Sequence, residues 1–62
     1  MNLPDLVRRV RAEYLEMPGL HLTDAQARRI WNLDEEWCEA VLNVLMEARF
    51  LRRTSTGAFV RR

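Results

Sequence analysis

The side chains here that could do chemistry are ten arginines, nine carboxylates, one cysteine and one histidine. Arginine presents a planar fork of donors that matches phosphate or carboxylate oxygens two at a time. No basic residue is lysine, a bias that a GC-rich coding sequence also produces, so position tells more than type. Residues 34–48 hold Asp34, Glu35, Glu36, Glu39 and Glu47 with no base, whereas residues 49–62 hold Arg49, Arg52, Arg53, Arg61 and Arg62 with no acid. The formal net charge of +1 is therefore a cancellation between adjacent segments of opposite sign. That polarity suits phosphate contact by the positive segment, or docking onto a protein by the negative one.

Other chemistries lack their residues. Cys38 is the single cysteine and His21 the single histidine, so an internal disulfide and a zinc staple are both excluded. Glu35 and Glu39 stand four apart without a histidine partner, so no metalloprotease-type helix is present. There is no nucleophile beside a base and no glycine-rich phosphate loop. The expectation is a protein with no catalytic residues, metal site, cofactor or small-molecule substrate. Cys38 is expected to be a buried packing residue.

The elements that must position the charges are few. A chain of 62 residues has room for one core and no second domain, so residues 1–62 read as a single domain. Its 48% hydrophobic and 31% charged content is that of a globular chain. No apolar run approaches the ~20 residues of a membrane span, and the expectation is a soluble, cytoplasmic protein with no membrane partner.

Leu3, Leu6, Val7, Val10, Tyr14 and Met17 recur at helical spacing after Pro4, which predicts a first helix over about 3–17, closed by Pro18-Gly19. Arg9 and Glu13 can pair along it. Leu20-His21-Leu22 reads as a very short extended segment. Thr23 to Gln26 matches a capping box, opening a second helix over about 24–31 that buries Ala27, Ile30 and Trp31. Asn32 suits a left-handed turn. Asp34 then caps a third helix over about 35–48, whose stripe is Cys38, Val41, Leu42 and Leu45. Trp37, Val44 and Ala48 flank that stripe, making the apolar arc roughly 200° wide, more than one small core demands. Beyond Arg49 the pattern changes to period two, predicting a hairpin over about 50–61 with Gly57 left-handed in the loop Ser55-Thr56-Gly57.

Three helices, a short strand after the first and a terminal hairpin make a mainly α fold with a small β part. The order resembles that of the winged helix-turn-helix family of small bacterial DNA-binding and regulatory proteins. The most specific stretch is Leu22-Thr23, Gln26-Ala27, Ile30-Trp31, Asn32, Leu33 and Asp34. Arg28 stands where such motifs usually have alanine, and Arg49 where a glycine commonly ends the third helix.

The resemblance implies a helix-turn-helix core, with the third helix entering the major groove and the hairpin as a wing against the DNA backbone. Carried over, the groove-facing positions are Glu36, Trp37, Glu39, Ala40 and Asn43, of which Asn43 alone has a good base pairing, with adenine. Backbone contacts would come from Arg28, Arg29, Arg49, Arg52, Arg53, Arg61 and Arg62.

Two readings of function follow. One is a non-enzymatic factor, associated with transcription, whose arginine-rich wing grips duplex DNA. The other is a protein-interaction or dimerisation module that uses Trp37, Val44, Glu36, Glu39 and Glu47 on the third helix, with DNA binding lost. Trp37 could also fold inward against the first helix or the wing as core.

Overall fold

The computed structural model describes residues 2–62. Each helix starts on a side-chain cap that satisfies an otherwise orphaned backbone donor. Asn2 accepts from the Asp5 amide at 2.9 Å, opening helix α1 (Leu3–Glu16) with Pro4 in its first turn. Thr23 accepts from the Gln26 amide at 3.3 Å while the Gln26 side chain accepts from the Thr23 amide at 3.0 Å, a complete capping box for α2 (Asp24–Trp31). Asp34 accepts from the Trp37 amide at 2.8 Å and starts α3 (Glu35–Glu47).

The helices stop for local reasons too. Past α1, the Leu20 amide donates to the Met17 carbonyl at 2.9 Å across Pro18-Gly19. Asn32 ends α2 in the left-handed region, φ 52 and ψ 50. At the end of α3 the Phe50 amide reaches the Leu45 carbonyl and the Arg49 amide the Met46 carbonyl, both at 3.0 Å. That is a Schellman closure, and its left-handed position is filled by Arg49 at φ 62. An arginine there gives up about 1–2 kcal/mol that glycine would not.

Three strands complete the fold: β1 (Leu22–Thr23), β2 (Leu51–Arg53) and β3 (Ala58–Arg61), forming one antiparallel sheet in the order β1-β3-β2. The β2–β3 loop closes on Gly57 at φ 85, with the Gly57 amide donating to the Thr54 carbonyl at 3.0 Å and the Thr54 amide to the Ala58 carbonyl at 2.7 Å. The strand after α1 starts two residues later than Leu20-His21-Leu22 suggests and ends one later. Its bounds are set by pairing, Leu22 with Phe59 and Thr23 with Ala58.

All three helices and the sheet contribute to one core, built from Leu6, Val10, Tyr14, Ala27, Trp31, the Cys38–Val41–Leu42–Leu45 stripe, Leu22, Leu51 and Phe59. Tyr14 is fully buried at its centre. Its hydroxyl donates to the Phe59 carbonyl at 2.9 Å, and its ring lies 6.3 Å from that of Trp31 and 6.4 Å, edge-on, from that of Phe50.

Three expectations are corrected. Ile30 is 61% exposed, because eight residues of α2 present one inward row, Ala27 and Trp31, and Ile30 is rotated about 100° from Trp31. Met17 is 48% exposed, since α1 ends at Glu16 and the chain turns away there. The ion pairs among the described residues are Arg8–Asp5 at 3.8 Å and Arg28–Asp24 at 3.4 Å, not Arg9–Glu13.

Two stability measurements test this account. Arg49→Gly should raise stability by about 1 kcal/mol, some 4–8 °C in Tm for a domain of this size; no change would mean that Arg49 carries no backbone strain. Tyr14→Phe should lower the urea midpoint by the equivalent of about 1 kcal/mol, because it removes the buried hydrogen bond to the Phe59 carbonyl.

Candidate functional site

The hairpin register decides where its arginines go. Directly paired strand residues share a face and successive residues alternate. Arg52 pairs with Val60 and Arg53 with Phe59, so these neighbouring arginines are sent to opposite faces. Arg53 shares the core side with Phe59, and its guanidinium lies 5.7 Å from the centre of that ring. Arg52 goes to the outer face, where it lines a shallow depression with His21, Thr54 and Thr56; Arg61, paired with Leu51, springs from the core side and meets that depression at its rim. Arg61 also lies over the Phe50 ring at 5.2 Å, as Arg11 does at 5.3 Å. Arg62 is exposed, and its amide donates to the Phe50 carbonyl at 3.1 Å.

The two arginines of α2 differ. Arg29 is exposed beside His21, Gln26 and Ile30. Arg28 is half-buried and folds back on Asp24, its Nε 3.4 Å from the Asp24 carboxylate yet without a hydrogen bond. It fits where alanine is usual because its side chain runs along its own helix rather than between helices. Arg49 is exposed at the corner between α3 and β2.

Helix α3 offers two distinct surfaces. Facing the hairpin, Glu35, Glu39 and Asn43 share a groove with Asp24 and Arg53 above Leu42 and Phe59. Three carboxylates against one guanidinium make this groove negative, which opposes entry of a phosphate backbone. These carboxylates do not converge: among the described residues no group of three or more His, Cys, Asp or Glu could hold a metal ion.

On the other side, Val44 lines a second groove with Leu3, Pro4, Val7, Arg8 and Arg11 of α1. Trp37, 40% exposed, stands on the same helical face as Val44, 39% exposed. Trp37 is thus not a core residue, although its edge reaches a recess with Leu6 and Leu33. Glu36 and Glu47 are exposed and form no ion pair with any described residue.

The predicted site residues are therefore dispersed over several surfaces. Sequence reasoning passed over His21, Thr54 and Thr56 beside Arg52; alternation along the hairpin was the signal that could have found them. It also missed the α1 half of the second groove, although the wide apolar arc of α3 hinted that something further lay there.

Beneath these surfaces Cys38 is fully buried, its thiol donating to the Asp24 carbonyl at 3.8 Å and tying α3 to the start of α2. Burial, reinforced by Asp24, pushes the thiol up from 9.0 to about 12. Burial, with a smaller contribution from Cys38, pushes the Tyr14 hydroxyl up from 10.0 to about 12. No family model, curated protein or solved structure matches the chain, and no helix among the described residues is long and apolar enough to cross a membrane.

Both shifts favour the protonated fold, so their stabilisation is complete below the unfolded values and is lost as pH rises through the folded ones. Stability should stay level to about pH 9, then fall towards about pH 12, by up to ~1.4 kcal/mol per pH unit for each group. Chemical denaturation across this range checks it, and Cys38→Ala should move the onset to about pH 10, leaving Tyr14 alone. A level profile throughout would contradict the burial of both groups.

Proposed function

We propose that this chain is a winged helix-turn-helix module without catalytic activity, acting in the bacterial cytoplasm, that holds duplex DNA by its phosphate backbone through the hairpin arginines. Support for the fold comes from its element order: helix, short strand, two helices joined by a tight turn, and a hairpin. The observation that carries the function is that Arg49, Arg52, Arg53, Arg61 and Arg62 form no ion pair with any described residue. Arg53 faces the carboxylates of Asp24, Glu35 and Glu39, but the charge of the other four is uncompensated. Arg52 and Arg61 present it beside Thr54 and Thr56, whose hydroxyls bond to each other at 2.9 Å and leave one proton for a phosphate. Stacking on Phe50 holds Arg61 in place while its outward donors stay open.

In this reading α3 is not the base reader. Asn43 sits among Glu35, Glu39 and Asp24, and carboxylates held against phosphates oppose binding. The wing and chain end supply the affinity, with little preference for sequence. A second reading, docking of a protein onto α3, is favoured by the exposure of Trp37 and Val44 on one face.

Fluorescence anisotropy of a labelled duplex tests the first reading. With about four phosphates engaged, log affinity should fall against log salt with a slope near −3.6. Replacing Arg52, Arg53, Arg61 and Arg62 by glutamine should abolish that slope, whereas Asn43→Ala should leave affinity within about twofold, as expected without base readout. Absence of binding at low salt, or an unchanged slope in the glutamine variant, would overturn it.

A further inference from the structure

Where α1 and α3 meet at the surface, an apolar strip is left uncovered. Leu3 and Val7 come from α1 and Val44 from α3. Trp37 precedes Val44 by seven residues, close to two helical turns, and continues the strip along α3. Its two edges carry opposite charge. Arg8 and Arg11 border it on α1. On α3, Glu36 and Glu47 lie about 80° around the helix from the Trp37–Val44 row, towards solvent, exposed and without an ion pair to any described residue.

A surface ordered positive, apolar, negative is complementary to itself. Rotation by a half-turn about an axis running along the strip lays the basic edge of one copy against the acidic edge of the other. It also brings the two apolar rows together. Such an isologous contact closes at two copies and leaves no free patch for further growth.

We propose that a second copy of this chain covers the strip, making a two-fold dimer with Trp37 and Val44 at its centre and Arg8 of each protomer opposite Glu47 of its partner copy. Arg8 borders the groove beside Val44, and Glu47 is the carboxylate about one turn, roughly 4.5 Å, along α3 from Val44, an offset that a long arginine side chain spans. Arg8 is available for this, because its contact with Asp5 is long, 3.8 Å, and both side chains are mostly exposed. Tryptophan at the centre of the patch matches the residue type that dominates interface energetics. The dimer gives the second reading of function its partner. It leaves the outer sheet face with Arg52 free, so it stands or falls separately from DNA contact.

Sedimentation of the full chain from micromolar to about 1 mM should show the mass rising from 7.4 kDa to twice that value and no further. Val44→Asp and Trp37→Ala should each weaken association at least about tenfold with the far-ultraviolet circular dichroism unchanged. Arg8→Glu or Glu47→Arg alone should weaken it several-fold, and the two together should restore it. That rescue separates a specific contact from mere loss of folding. A monomer at every concentration, growth beyond two copies, or failure of the double reversal to restore association would each overturn the proposal. Anisotropy with the Val44→Asp variant at micromolar protein and low salt reads DNA contact by the monomer, so failure of either idea is seen independently of the other.

Discussion

The hydroxyl of Tyr14 donates to the Phe59 carbonyl from a position closed to solvent, and the ring below it meets Trp31 and Phe50. One side chain of α1 thus touches α2, the corner after α3 and the last strand. The chain has no disulfide, and strands of two, three and four residues form a sheet too small to stand alone. Without a helical face to dock on, the hairpin would be marginal. Phe59 belongs to that docking from both directions: its side chain joins the core while its carbonyl receives Tyr14. The raised pKa values of Tyr14 and Cys38 report the same dry interior.

The charged shell inherits its layout from that docking. Pairing of Arg53 with Phe59 turns one hairpin arginine towards α3, and pairing of Arg52 with Val60 turns its neighbour away. The near-neutral total therefore conceals a negative groove beside α3, a positive sheet face and a strip of mixed edges between α1 and α3. A groove with three carboxylates is a poor seat for duplex DNA, so phosphate contact is assigned to the hairpin and association to the apolar strip.

Much of this was legible in the chain because it is local. Caps at Thr23 and Asp34, the left-handed Asn32 and Gly57, the Pro18-Gly19 stop and the Cys38–Val41–Leu42–Leu45 stripe all follow from short-range rules. Each needs only a few neighbours in sequence and a fixed backbone geometry. Ile30 was misread for the opposite reason. Helical spacing marks it as apolar on an amphipathic segment, but a two-turn helix has too few positions to show which way the core lies. Arg49 is a similar case: only its place in the resemblance hinted at a left-handed position, and its side chain gives no sign of one.

By itself, then, the sequence determined where helices and turns begin and end, which stripe of α3 is buried, and that acid and base fall in consecutive segments. Tertiary structure alone decided that β1 pairs with β3, that Arg52 and Arg53 serve different surfaces, and that Trp37 and Val44 stay half in solvent beside Leu3 and Val7. The reason is one of range. Caps, turns and periodicity are set by backbone geometry within a few residues, whereas a surface is made by residues such as Val7 and Val44 that meet only after the core between them has closed.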